Sequence, residues 1–408
     1  MKLRVGIFFG GPSREREISF AGGRTVYDNL DKSLFDPIPV FVDSFRNFVL
    51  LDWQHIYKGS IRDFFPPVEA LPDSPHQFQI YEESLGQPPA EEIRSLLRAI
   101  GRPLAPEELE QHIDLAFLAL HGLYGEDGQI QEQLTALGIP YTGSGIAASR
   151  IGMDKAWQKE LMQECGFPTP RIEVLDRADW ARGNPQDLYD LARERIGFPL
   201  VVRPSRQGSS IGVSIVDEKA GAEGLFEAVQ QAFFRERIPL RDWHQRSDYE
   251  RMDHLRLLTD IRDGLAFPMT ATLEDQQLTC YHPEELFDQL NAWAEDPPED
   301  TQAVAELESF HLEDQVLLEA FIEGKEFSCI AVSKENGEAV ALPPTEIVKS
   351  GAVYDYRSKY LPGLSRKRTP IDLPEEQVHA IRERCTRLFG ELGFQVYARI
   401  DGFIRPDG

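Results

Sequence analysis

The chain has 408 residues, 41% of them hydrophobic and 27% charged, which suits two or three globular domains and excludes disordered and fibrous classes. Forty-three basic residues stand against 68 acidic ones, a net charge of −25. No general basic surface for nucleic acid is expected, so a phosphate-rich ligand has to be met by a few local cations and backbone N–H groups. Four cysteines, Cys165, Cys280, Cys329 and Cys385, form no CxxC pair and read as reduced thiols of a cytoplasmic protein. The opening MKLRVGIFFGG is too short an apolar run for a signal peptide. No stretch approaches about 18 consecutive apolar residues, so no membrane span is expected.

In chain order, RVGIFFGG reads as a parallel strand buried on both faces. A helix through Thr25–Leu30 and a strand over Asp36–Asp43 follow, a βαβ pattern that predicts a doubly wound sheet. Residues from about 44 to 111 break that rhythm with proline pairs and two short helical patterns, EEIRSLLRAIG and APEELEQH; they read as an insertion. His112–Gly122 is another buried strand ending in a Gly-rich loop, and GQIQEQLTALGIPYTGSG gives helix, short strand and turn. MDKAWQKELMQECGFPTP predicts one helix with Met153, Trp157, Leu161 and Cys165 on one face, stopped by Gly166 and Pro168. Gly197–Val216 predicts a hairpin with a Gly/Ser-rich tip. The stretch from about 221 to 314 reads as helical, acidic and Trp-rich, without a chemical motif. DQVLLEAFIEGKEFSCIAV returns to strand–turn–strand, IVKSGAVYDYRSKYLPGLSRKRTP reads as a long loop, and EEQVHAIRERCTRLFGELG as an amphipathic helix capped by Gly393. VYARIDGFI then alternates like a half-buried strand, and RPDG reads as a hairpin turn that predicts a further strand.

Six stretches can carry chemistry, each with a plainer reading beside it. GGPSREREIS (Gly10–Ser19) allows close backbone approach before a helix N-terminus, yet it also suits an ordinary βα turn. Glu15 there either pairs locally or holds a substrate ammonium. HGLYGEDG lies where doubly wound folds place ligands, with His121 a site residue or a neutral core histidine. RPSRQGSSIGVS offers backbone donors at Gly208, Ser209, Ser210 and Gly212 with Arg203 as cation, a phosphate cradle or else a solvated tip. In EAFIEGKEF, Glu326 suits ribose hydroxyls and the backbone near Ala320 and Ile322 suits adenine; a strand with a charged rim fits equally. YDYRSKY reads as a lid or as a loop docked by its aromatics. ARID puts Arg399 and Asp401 on one strand face, for an oxyanion and Mg²⁺ or as a surface pair.

Together and in this order, GGPSREREIS, HGLYGEDGQIQ, PYTGSGIAASRIGMDK, RPSRQGSSIGVS, YDYRSKY and ARID resemble the D-alanine–D-alanine ligase family. The resemblance implies an α/β ATP-grasp fold with an N-terminal Rossmann-like domain. It implies an enzyme in which ATP phosphorylates the carboxylate of one D-alanine and the amine of a second attacks the acylphosphate. The product supplies peptidoglycan synthesis, in the cytoplasm, and a homodimer is expected. By motif, Glu15 would hold the first D-alanine's ammonium, His121 would lie beside its carboxylate, and Ser149 would bridge Glu15 to Tyr360 of the lid. Lys155, Arg203, Ser209, Ser210 and Lys359 would contact ATP phosphates, and Glu319, Ala320, Ile322 and Glu326 would line the adenosine pocket. Arg399 would stabilise the tetrahedral oxyanion, and Asp401 would bind Mg²⁺ (or Mn²⁺).

Three units are expected: 1–145 with its insertion, 146–315 with a long helical insertion at about 221–314, and 316–408. The family usually has Lys where Arg203 stands, and the two exchange a fork for a point charge. The family's Glu-x-Asn metal ligands follow the strand that closes this sequence. The expectation is therefore a chain lacking its C-terminal segment, with a poor magnesium cage and inefficient turnover as it stands. Tyr360, where D-lactate-using relatives tend to carry Phe, implies D-alanine as the second substrate. Two alternatives stay open: another ATP-grasp carboxylate–amine ligase, and a nucleotide-binding module without turnover.

Overall fold

The structure is a computed structural model that describes residues 2–180, 182–295, 303–349 and 365–408. Its first sheet has five strands in the order β4-β3-β2-β1-β5: β1 Leu3–Gly10, β2 Phe35–Val42, β3 Phe48–Leu51, β4 Gly101–Leu104 and β5 Leu115–Leu118. The apolar run of β1 lies at the interior, parallel to both β2 and β5, as its burial on both faces requires. The helix Arg16–Asn29 makes the crossover. The expected insertion contains the helix Ala90–Arg98 and also supplies β3 and β4, which extend the sheet with antiparallel pairing.

A second sheet follows the order β6-β13-β7-β8, from β6 Ile172–Asp176, β7 Leu200–Pro204, β8 Ser214–Val216 and β13 Gln315–Ala320. β7 and β8 pair antiparallel, so the expected hairpin with a loop between them is present. A third sheet, with the order β15-β14-β16-β17 and β18 on the other side of β14, uses β14 Lys325–Ser333, β15 Ala339–Ala341, β16 Thr345–Lys349, β17 Ser365–Arg368 and β18 Tyr397–Ile404. The long loop expected around YDYRSKY is thus flanked by two paired strands, β16 and β17. The helix Glu375–Glu391 packs Ile381 and Cys385 into this sheet's core and buries Phe389 beside Phe394. Exposed and half-buried residues alternate along all of β18, as its period of two demands.

The stretch from about 221 to 314 differs from the helical expectation. It contains a fourth sheet, order β11-β10-β12-β9, from β9 Arg235–Pro239, β10 Met269–Leu273, β11 Gln276–Cys280 and β12 Val304–Ser309. The helices Leu240–Gln245, Asp248–Thr259 and Pro283–Glu295 belong to the same unit. Trp243, Leu255, Met269 and Leu290 are fully buried in a core of its own, which also takes in Phe78 of the first insertion. The Trp243 indole is seated by donating to Asn291 Oδ1 at 3.0 Å. Trp243→Ala is expected to destabilise this unit by about 3–5 kcal/mol, read as a lower urea midpoint; an unchanged midpoint would remove Trp243 from the core's energetics.

Candidate active site

The first strand ends in Gly10 and Gly11, both at positive φ (94° and 90°), so the chain turns back under the sheet without a Cβ penalty. A Cβ on Gly10 would collide with the Val42 carbonyl oxygen. The Gly10 N–H donates to Ser19 Oγ at 2.9 Å, which ties the turn to the following helix. Glu15 is the N-cap of that helix, 5% exposed, with its N–H on Ser13 Oγ at 2.9 Å. Its carboxylate accepts from the Ser209 hydroxyl. A Cβ on Gly208 would collide with that carboxylate, and one on Gly122 would come to 3.0 Å from it. One carboxylate therefore joins three loops far apart in sequence: Gly10–Ser19, the loop after His121, and the Ser/Gly loop between β7 and β8. His121 is half-buried, and its Nδ1 lies 3.9 Å from Glu126 Oε2.

The expected single helix after Met153 is two, Ile146–Met153 and Lys155–Glu164. Asp154 interrupts them because its side chain accepts from the Trp157 N–H and caps the second helix. None of the second helix is buried, so the anticipated apolar face through Trp157 and Leu161 does not pack as a core face. The break serves position. Lys155 Nζ donates to Ser205 O at 3.3 Å and Gln207 O at 2.7 Å, directly onto the Ser/Gly loop. Burial, then the neighbouring Arg203, lower the Lys155 pKa to about 7.

Arg203, on β7, lies 3.6 Å from Glu319 Oε2 through Nη1, while its buried Nε has no partner among the described protein groups. Ser209 and Ser210 both have positive φ (50° and 59°), a strained pair of the sort that turns successive N–H groups inward.

Sequence reasoning missed the groups behind this loop. Glu313 accepts from the Arg206 N–H at 3.0 Å and from Gln207 Nε2 at 2.8 Å, and its burial raises its pKa. Asp154 accepts from Ser205 Oγ at 3.0 Å and pairs with Arg206 at 3.0 Å. Burial works against its ionised form, yet the bonds from Trp157, Arg206 and Ser205 hold its pKa below the ordinary value. Only the MDK stretch hinted at Asp154; Glu313 had no local signal.

β13 and β14 are consecutive but lie in different sheets, so the segment between them crosses from one layer to the next. Ala320 and Ile322 are at that crossing, half-buried. The Glu319 carboxylate faces inward at 6% exposure and pairs with Lys159 at 3.3 Å as well as with Arg203. Its side chain thus faces two cations at this crossing. Glu326, on β14, stands opposite Phe403 of β18.

Arg399 and Asp401 share one face of β18 and form a two-pronged pair at 3.1 and 3.0 Å. Ser149 is buried and its hydroxyl donates to Ser144 O at 3.2 Å. Lys359 and Tyr360 lie outside the described residues. No described helix is long and apolar enough to cross a membrane.

Comparison with known proteins gives the family and the fold. Residues 4–144 match the family described as D-ala D-ala ligase N-terminus, and residues 161–239 and 299–408 match D-ala D-ala ligase C-terminus. The D-alanine–D-alanine ligase of Pelotomaculum thermopropionicum is 27% identical over 408 residues, covering 100% of this chain and 84% of the relative. That of Geobacillus thermodenitrificans is 25% identical with the same coverage, 100% and 84%. Among solved structures, the D-alanine–D-alanine ligase from Coxiella burnetii superposes with a TM-score of 0.59 at 19% identity, covering 100% of this chain and 82% of that one. The VanG D-Ala:D-Ser ligase from Enterococcus faecalis gives a TM-score of 0.59 at 20% identity, covering 100% and 88%. At these identities the superpositions speak to the fold, which is the expected α/β ATP-grasp arrangement with a Rossmann-like first domain. The residues left unmatched inside the second model, 240–298, fall within the fourth-sheet unit. The chain belongs to the D-alanine–D-alanine ligase family.

Proposed function

We propose that this protein is an ATP-dependent ligase that joins two D-alanine molecules through an acylphosphate. The observation that carries the reading is the Glu15 carboxylate, placed where the first loop, the His121 loop and the Ser/Gly loop meet. A zwitterionic amino acid needs an anion for its ammonium, and its carboxylate has to face a phosphate donor. Glu15 next to a phosphate cradle supplies both in one place.

In this reading Glu15 holds the ammonium of the first D-alanine and His121 lies beside its carboxylate. ATP fits the donor set behind them: the Lys155 amine, the Nε of Arg203, which has no partner among the described residues, and the left-handed backbone at Ser209 and Ser210. Glu319, by fixing Lys159 and Arg203, together with Ala320, Ile322 and Glu326, forms the wall for adenosine at the crossing between sheets. One carboxylate oxygen of the first D-alanine attacks the γ-phosphorus and ADP leaves. The amine of the second D-alanine then attacks the acyl carbon, Arg399 faces the oxyanion that forms, and phosphate departs. Lys359 would reach the γ-phosphate, and Ser149 would bridge Glu15 to Tyr360 of a lid that keeps water from the acylphosphate.

Mg²⁺ requires near-octahedral oxygen coordination. Asp401 offers one carboxylate, and both of its oxygens are held by Arg399. Among the described residues no three His, Cys, Asp or Glu side chains cluster. These residues alone do not fit a magnesium cage.

The same proposal takes in three units, 1–145, 146–315 and 316–408, a homodimer, and a cytoplasmic reaction supplying peptidoglycan synthesis. The protein incubated with ATP, Mg²⁺ and D-alanine is expected to release ADP and form the dipeptide in equal amounts. No ADP with D-alanine overturns the reading, whereas ADP formation only with another amino or hydroxy acid as acceptor assigns a different ligase of the same fold.

A further inference from the structure

The fourth-sheet unit, which the family model leaves unmatched over 240–298, meets the turn that carries Glu15 at Arg14. Arg14, next to Glu15, is 7% exposed. Its Nη1 donates to Ile261 O at 3.1 Å and Gly264 O at 2.8 Å. Its Nη2 donates to Leu265 O at 2.7 Å and Ser309 Oγ at 3.3 Å, and the guanidinium lies 3.9 Å from the centre of the Phe234 ring. Among the described residues no carboxylate bonds to it.

The receiving loop is shaped for this cation. A Cβ on Gly264 would collide with the Leu257 and Leu258 carbonyl oxygens, and Ala266 takes positive φ, 61°. Leu265 N–H closes the loop on Leu258 O at 2.7 Å. Three carbonyls, those of Ile261 and Leu265 buried and that of Gly264 partly so, converge on one guanidinium, an arrangement that is costly unless a planar, multi-donor cation meets them.

The other flank of Glu15 is held too. Arg16 is buried and pairs with Glu83 of the first insertion. The two insertions are joined to each other: Glu284 accepts from Ser74 Oγ at 2.7 Å and from the His76 N–H at 3.0 Å. Ile211 of the Ser/Gly loop is buried in the unit's core.

We propose that Arg14 is a positioning residue for the first amino-acid substrate, through which the added unit fixes where the Glu15 carboxylate stands. This rests on reading Glu15 as the ammonium anchor. A site residue has to be held within a fraction of an ångström, and a neighbour locked by four acceptors does that for the turn carrying Glu15.

The test uses two variants that approach the contact from opposite sides. Arg14→Lys keeps the charge but not the fork, and Gly264→Ala distorts the receiving loop without touching the site. In each, the KM for D-alanine at the first site is expected to rise by at least about tenfold while the KM for ATP stays within about twofold. A D-alanine KM unchanged in both folded variants overturns the proposal, as does loss of folding in both, which would leave Arg14 a purely structural role. If the unmodified protein forms no ADP with D-alanine, the proposed function fails on its own. Positioning is then read from amide hydrogen exchange: lost protection over residues 15–19 in both variants, with protection over 375–391 kept, sustains it, and unchanged protection overturns it.

Discussion

Replacing Glu15 with glutamine is expected to lower kcat/KM for D-alanine by about 10–150-fold, most of it in KM at the first site. The carboxylate is 5% exposed and stands between the Gly122 turn and the Ser/Gly loop, where the dielectric is low and a charge-assisted bond to an ammonium counts fully. Glutamine keeps the shape and one acceptor oxygen, so the Ser209 hydroxyl retains a partner and the fold is spared. What is lost is the negative charge that the substrate ammonium meets, worth about 1.5–3 kcal/mol. Ser209→Ala is the informative control. It cuts the tether between Glu15 and the Ser/Gly loop without touching the charge, so its effect is expected in the KM for ATP instead. Steady-state kinetics varying D-alanine and ATP separately resolve the two. A Glu15→Gln protein with a D-alanine KM within twofold of the original would show that Glu15 is a structural cap only.

How much of this was legible depended on how local each feature is. The β7–β8 hairpin and its loop were plain because Gly and Ser dominate the tip and apolar residues the flanks. β18 and the helix Glu375–Glu391 were plain because one half-buries every second residue and the other buries every fourth, Ile381, Cys385 and Phe389. The strands of the added units were not, since β3 and β4 have four residues each and β11 (QQLTC) exposes all but its last; nor was β17 (SRKR) of the third sheet. Their pairing is set by neighbours, and strands this short, whether apolar like β3 (FVLL) or polar like β17, carry no period-two signal to reveal it.

The helix break at Asp154 was hidden because apolar spacing runs through it while a single capping bond decides the geometry. The motif loops could be named, but their meeting at Glu15 spans 194 residues to Ser209. The link from Arg14 to Gly264 spans 250, and from Gln207 to Glu313 106. No local pattern encodes contacts of that reach.

Binding of ATP at about pH 8 is expected to take up nearly one proton per nucleotide, because Lys155 enters the complex charged and leaves solvent mostly neutral. Burial, reinforced by Arg203, holds the free lysine at about 7, against 10.5 for an ordinary one, while Glu313, Glu15 and Glu319 offset part of that. A triphosphate next to Nζ favours the ammonium and raises the pKa in the complex. Below about 7 the lysine is already protonated, so uptake vanishes; above it, each further pH unit weakens ATP binding by up to roughly tenfold.

The same depression has a consequence for the ligand-free fold. Between about 7 and 10.5 the unfolded chain binds more protons at this position than the folded one, so this group's contribution to stability rises with pH across that window. Calorimetric titration in two buffers of different ionisation enthalpy gives the proton count directly. In Lys155→Met the uptake disappears, and the loss of ATP affinity is larger at about pH 6.5, where the native lysine is charged, than at about pH 8.5, where it is not. Uptake near zero at about pH 8 in the unmodified protein, or an affinity loss independent of pH in the variant, would remove Lys155 from the phosphate site and leave it a tether of the Ser205 and Gln207 carbonyls.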